Sequence, residues 1–145
     1  MGFTTTLLTA AAEYLHAQNV GAWRPDTSYS ADDVAITIDQ LHSTVNKAIA
    51  LGAYPVDDGD GGTDAIVGLQ LWIRGAPKNR ASAKDIADRA FDALDGVNAT
   101  TWAGIPIVLI RRRSQARIGL DANEREELSA NYYIQLTRTG AHRRD

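Results

Sequence analysis

The sequence predicts an α+β (mixed α/β) protein: a single mostly antiparallel or mixed sheet of about five strands, with two helices packed on one face. Three observations predict it. Apolar residues recur at helical spacing in two stretches, one near the N-terminus and one after residue 82. Two other runs, Ala65–Gly75 and Leu128–Arg138, alternate with the period of a strand. A third run, IPIVLI at 105–110, is apolar throughout, too short for most helices and bounded by Gly104 and arginines, which suits a buried strand.

The elements follow in order. Leu7, Leu8, Ala11, Ala12, Tyr14 and Leu15 share one helical face, Thr4 to Thr6 offer N-caps, and Asn19 and Gly21 offer stop signals, so the first helix spans about 5–18. Gly21–Ser30, with Trp23, Pro25 and Tyr29, reads as an ordered loop whose aromatics lie across the body. Asp33–Leu41 alternates through Val34, Ile36 and Ile38 as a first strand. In Asn46–Val56 the alanines tolerate a helix, but Gly52 and Pro55 disfavour its interior and favour a strand.

Asp57–Asp64 (DDGDGGTD) is a loop between strands. In AIVGLQLWIRG at 65–75, Val67, Leu69, Leu71 and Ile73 form one face and Gln70, Trp72 and Arg74 the other, with Gly68 beside them. Ser82 is placed to N-cap the second helix with Asp85 three residues on, and Ile86, Ala87, Ala90, Phe91 and Leu94 form its stripe until Gly96 ends it. Ser114–Asn123 reads as a loop or ragged strand, and Leu128–Arg138 closes the sheet. Residues 140–145 form a polar tail with nothing to pack them down. The predicted order is α-β-β-β-α-β-β.

At 145 residues the chain predicts one domain, 1–145, able to bury most of its unfolded surface. A net charge of −3 argues against a nucleic-acid or membrane binder driven by bulk charge. With no cysteine there is no disulfide framework, thiolate metal site or thiol nucleophile. No apolar run approaches the ~20 residues of a membrane span, and the N-terminus lacks the basic segment of a signal peptide, which together predict a product that stays in the cytoplasm of the cell making it.

Candidate chemistry is sparse. An EF-hand-like loop starting at Asp58 or Asp60 would need a glutamate eleven residues on, where Leu69 and Leu71 stand, so the acidic loop reads as a solvated hairpin connection. His16, His42 and His142 have no second ligand at metal spacing, and no nucleophile elbow, phosphate loop or dinucleotide fingerprint is present. The expectation is a protein without catalytic residues, metal or cofactor. Arg111, Arg112, Arg113 and Arg117 form one basic cluster, either a contact for an acidic partner surface or an edge-strand end kept soluble by charge. The face carrying Gln70, Trp72 and Arg74, together with Asn131, Tyr133 and Gln135 of the last strand, has the residue types of protein–protein hot spots.

Several phrases in a fixed order resemble the tail terminator proteins of long-tailed bacteriophages, also labelled minor capsid or tail-completion proteins. They are QLWIRG at 70–75, the helix ending ALDG at 93–96, IPIVLI, and IGLDANEREELSANYYIQL at 118–136, with the Trp23 loop and Tyr54-Pro55 alongside. The resemblance covers essentially the whole chain. It implies a non-enzymatic homo-hexameric ring that caps the finished tail tube, stops its growth and offers the surface for head–tail joining. The implied partners are other copies of the chain, the major tail tube protein and a connector or stopper protein. DNA would pass the ring without specific binding, and no membrane is involved. The implied location is the head–tail junction of the virion, with host cytoplasm during assembly.

A ring needs two unlike surfaces. The strand face with Trp72 and Arg74, and a loop with Asp121, Glu124, Arg125, Glu126 and Glu127, supply them, and their charges predict an Arg74 contact to a neighbouring loop. The predicted interface residues are Gln70, Trp72, Arg74, Arg111, Arg112, Arg113, Asp121, Arg125 and Asn131. Three alternatives stay open: another connector component such as a stopper or adaptor, a small cytoplasmic enzyme or nucleic-acid-processing factor using Arg111–Arg117, and a ligand-binding module with a closed apolar pocket.

Overall fold

The computed structural model describes residues 1–144. Its elements are α1 (Phe3–Ala17), β1 (Ala22–Trp23), β2 (Ala35–Ile38), β3 (Ala48–Asp57), β4 (Asp64–Pro77), α2 (Arg80–Leu94), β5 (Asn98–Trp102), β6 (Ile105–Leu120) and β7 (Arg125–Thr137). The strands form one sheet in the order β1-β2-β3-β4-β7-β6-β5. The β1/β2 and β2/β3 pairs are parallel and the others antiparallel.

This architecture corrects the predicted fold class. The protein is mostly β, a seven-stranded sheet curled into a half-barrel with two helices, and not an α+β layer of about five strands with two helices on one face. The strands missing from the prediction lack the apolar alternation that reveals a strand. β1 has two residues, and β5 exposes Asn98 to Thr101 and buries only Trp102. The curl follows from strand twist accumulated over many strands. It brings both sheet borders to one helix: α1 packs against β1, β2 and β3 and also against β5. Tyr14 makes that second contact, its ring 5.1 Å from Trp102 and its hydroxyl donating to the Ala93 carbonyl at 2.5 Å.

The core lies inside the curl. Leu7, Leu15, Ile86 and Leu94 of the helices pack in one cluster with Ile49, Leu51, Leu69, Leu71, Ile73, Ile110, Tyr132 and Ile134 of the sheet. Tyr132 is fully buried and its hydroxyl has no hydrogen-bond partner among the described residues. Burial pushes its pKa up to about 12. An orphaned buried hydroxyl costs about 1 kcal/mol or more, so Tyr132→Phe is expected to raise the urea midpoint without changing its slope.

Local details also differ from the predicted ones. Helix α2 begins at Arg80 after Asn79, and Ser82 sits inside it, buried, its Oγ accepting the Ala76 N–H at 2.9 Å. It serves β4 there, where the ladder to β7 shifts register between Arg74 and Pro77. The predicted ragged segment after residue 114 is ordered strand: β6 runs on to Leu120, with shifts at 112/114 and 117/119. The tail is tied to the acidic hairpin. Arg138 N–H reaches the Thr63 carbonyl at 2.7 Å, Arg144 N–H the Gly61 carbonyl at 2.8 Å, and Arg143 Nη1 the Gly62 carbonyl at 2.9 Å. Asp145, the last residue of the predicted tail, lies outside the described residues.

Candidate interaction surface

The outer face of the curl is built from alternate residues of β3, β4, β7 and β6. Register places Gly52 and Asn131 on either side of Gln70, and Tyr54 and Tyr133 on either side of Gly68. The Tyr54 ring lies directly on Gly68, where an added Cβ would stand 2.2 Å from it, so glycine is what lets the ring lie flat. The Tyr54 hydroxyl donates to Asn131 Oδ1 at 3.2 Å, and Asn131 Nδ2 donates to Ser114 Oγ at 3.2 Å. Burial, then the Tyr133 hydroxyl, raises the Tyr54 pKa. Trp72 is 42% exposed, and its Nε1 donates to Glu127 Oε1 at 2.9 Å. Gln70, Trp72 and Asn131 thus lie together on one polar-aromatic face. Tyr54, Ser114 and Glu127 complete it; the signal for Tyr54 was Gly68, a glycine inside an otherwise regular strand.

Arg74 belongs to this face by alternation but is only 5% exposed. The connection from β2 to β3 folds back over it. Arg74 Nε donates to the Asn46 carbonyl at 2.8 Å, and one Nη donates to the carbonyls of His42 at 2.5 Å and Val45 at 2.6 Å. Burial, then the nearby Arg125 charge, lowers its pKa, against Glu127 and Asp121. Asp121 and Arg125 are engaged alongside it. Asp121 Oδ1 accepts the N–H groups of Asn123 and Arg125, its Oδ2 accepts from Arg125 Nε at 2.8 Å, and Arg125 reaches Asn46 Oδ1 at 3.3 Å. Burial would raise the Asp121 pKa, but these donors win and hold it below the ordinary 3.8. Arg74, Asp121 and Arg125 therefore shape one end of the protomer, and the predicted Arg74 contact to a neighbour's loop has no exposed guanidinium to make it.

The arginine cluster divides by partner. Arg111 pairs with Asp95 at 3.2 Å, Arg112 lies 4.1 Å over the Phe91 ring, and Arg117 pairs with the buried Glu126. Arg113 lies 5.1 Å over the Tyr133 ring and makes no ion pair with the described residues. An open depression of about 320 Å³ sits there, lined by Ile66, Leu109, Arg111, Arg113, Tyr133 and Gln135. A second of about 370 Å³ shares Ile66 and Gln135 and runs to Asp57 and Asp64 of the acidic hairpin.

No reacting constellation gathers around these features. His16 Nδ1 accepts the Trp23 N–H, and His42 Nδ1 accepts the Val45 N–H, so both rings serve the local backbone. Among the described residues no three His, Cys, Asp or Glu side chains could hold a metal ion. Among the described residues no helix is long and apolar enough to cross a membrane. What the fold does present is a broad sheet face carrying aromatic and charged side chains, Tyr54, Trp72, Arg113 and Glu127 among them.

The chain belongs to the bacteriophage tail terminator protein family, whose model matches residues 14–138. It is accordingly a structural protein of the bacteriophage tail and virion. Its fold is shared with a chain in the virion of a native gene transfer agent particle, at a TM-score of 0.69 and 15% identity, over 90% of this chain and 94% of that one. No match was found among curated proteins.

Proposed function

We propose that this protein forms a ring, of six copies, at the head-proximal end of the phage tail tube. The ring ends tube polymerisation and offers the surface that joins the head connector. The observation carrying this reading is the family match over residues 14–138. Its partners are its own copies, the major tail tube protein and a connector or stopper protein, and it acts without catalysis, first in host cytoplasm and then in the virion. Gln70, Trp72 and Asn131, with Arg111, Arg112 and Arg113, supply its contacts to other subunits. Arg74, Asp121 and Arg125 support them from within by fixing the ends of β4 and β7.

The test is tube growth. Tail tube subunits polymerising in the presence of the purified protein are expected to give shorter tubes, each with added density at one end in electron micrographs. Tubes of unchanged length with bare ends would contradict the reading.

A further inference from the structure

Two surface features have opposite charge and carry charged groups that form no ion pair with the described residues. The first is the acidic hairpin between β3 and β4. Asp57, Asp58, Asp60 and Asp64 make no ion pair with the described residues. The second is the depression over Tyr133, where Arg113 and the partly engaged Arg111 stand beside Leu109 and Ile66. It opens next to an unpaired strand edge. β5 covers β6 only as far as Leu109, so residues 111–120 pair on one side alone, with β7. Ile118 and Leu120 on that stretch are 52% and 45% exposed. Charge alone would protect such an edge from pairing, but protection does not account for two exposed large aliphatic residues beside it.

We propose that the acidic hairpin of one copy docks in the Arg111–Arg113–Tyr133 depression of the next, with the open β6 edge beside it as the apolar border. This rests on the ring reading and names the contact that builds it. Charge complementarity selects a second copy of this chain: the basic site needs an acidic, projecting partner, and the chain carries one. Hairpin and depression are unlike patches, so the contact repeated in one sense is heterologous, the kind that propagates around a ring. The three glycines of the hairpin, Gly59, Gly61 and Gly62, bring no side chains of their own to its tip, where Arg143 and Arg144 hold the carbonyls of Gly62 and Gly61.

The absence of cysteine makes the test direct. Asp60→Cys and Arg113→Cys, made in separate chains and mixed, are expected to form a mixed disulfide under mild oxidation. Each variant alone is expected to give little dimer. Mixing two single-cysteine chains excludes a bond within one protomer. In parallel, Arg113→Glu and Asp58→Lys/Asp60→Lys should each weaken assembly about tenfold or more, and combining them in one chain should restore it. Thermal unfolding of each variant, expected near that of the wild type, separates lost contact from lost fold.

A wild-type ring that survives both charge reversals, or that gives no mixed disulfide, would overturn the contact while leaving the ring reading in place. A ring that survives Arg113→Glu but loses salt-dependent DNA binding would also overturn it and assign the arginine to nucleic acid. A wild-type chain that stays monomeric, with or without tail tubes, would overturn the ring reading itself.

Discussion

Arg74→Met is expected to destabilise the protomer by about 3 kcal/mol, a fall of about 10 °C in Tm. The guanidinium is buried and gives hydrogen bonds to the carbonyls of His42, Val45 and Asn46. Bonds from a charged donor are worth more than neutral ones, and removing the donor strands carbonyls that the fold has taken from water. Part of that loss is offset because methionine no longer requires a charge to be desolvated, which keeps the estimate below the sum of the bonds. Hydrogen exchange should locate the effect: the amides of 42–46 lose protection while those of Leu69 and Leu71 keep it relative to global unfolding. Arg74→Lys should recover only part, since one ammonium cannot reproduce the planar fork. A variant with unchanged Tm and lost assembly would return Arg74 to the subunit interface.

Gly75→Ala is expected to cost about 2–3 kcal/mol, a large effect for one methyl group. The Cβ would stand 2.5 Å from the Ala83 backbone nitrogen and 3.1 Å from its Cα. Those are helix backbone atoms, so no side-chain rotation relieves the clash and α2 must move off β4. Moving it also strains the bond from Ala76 N–H to Ser82 Oγ. Gly68→Ala offers a control with a closer nominal clash and a smaller effect, because the Tyr54 ring it meets is itself 36% exposed on its residue and can swing outward. Paired chemical denaturation of the two variants checks the contrast. Equal destabilisation would show that the distinction between backbone and side-chain neighbours does not hold here.

These two neighbours, Arg74 and Gly75, mark where the sequence stops being legible. The alternation of Leu69, Leu71 and Ile73 told correctly which residues of β4 enter the core, and the stripe of α2 did the same for Ile86, Ala87, Ala90 and Leu94, whereas its Phe91 is only partly buried, under Arg112. Both are patterns written within one element. Alternation also placed Arg74 opposite that core. What it could not express is that a connection nine residues long, between two parallel strands, crosses back over the same face and buries it. The information lies in the pairing of β2 with β3.

The fold class was missed for a related reason. Counting strands by apolar alternation finds only those with one buried face, and residues 111–120 of β6 are polar or exposed on both. That stretch projects along β7 beyond β5, so it has no core to face. β5 likewise borders the sheet and buries one residue of five. The undercounted strands, β1 and β5, are the sheet borders that reach α1, which is why a predicted sheet of about five strands is a curled sheet of seven. For the surface residues the same limit applies: Gln70, Trp72 and Asn131 were readable by face, whereas Tyr54 joins them from β3 through its fit on Gly68 and its bond to Asn131.

The proposed ring requires these exposed sheet features to bind further copies of the chain. Native mass measurement of the purified protein, alone and with tail tubes present, tests it most directly. The proposed ring is expected as a closed species of about 94 kDa, six times the 15.7 kDa chain, whose population falls in Arg113→Glu. A single 15.7 kDa species under every condition would contradict it.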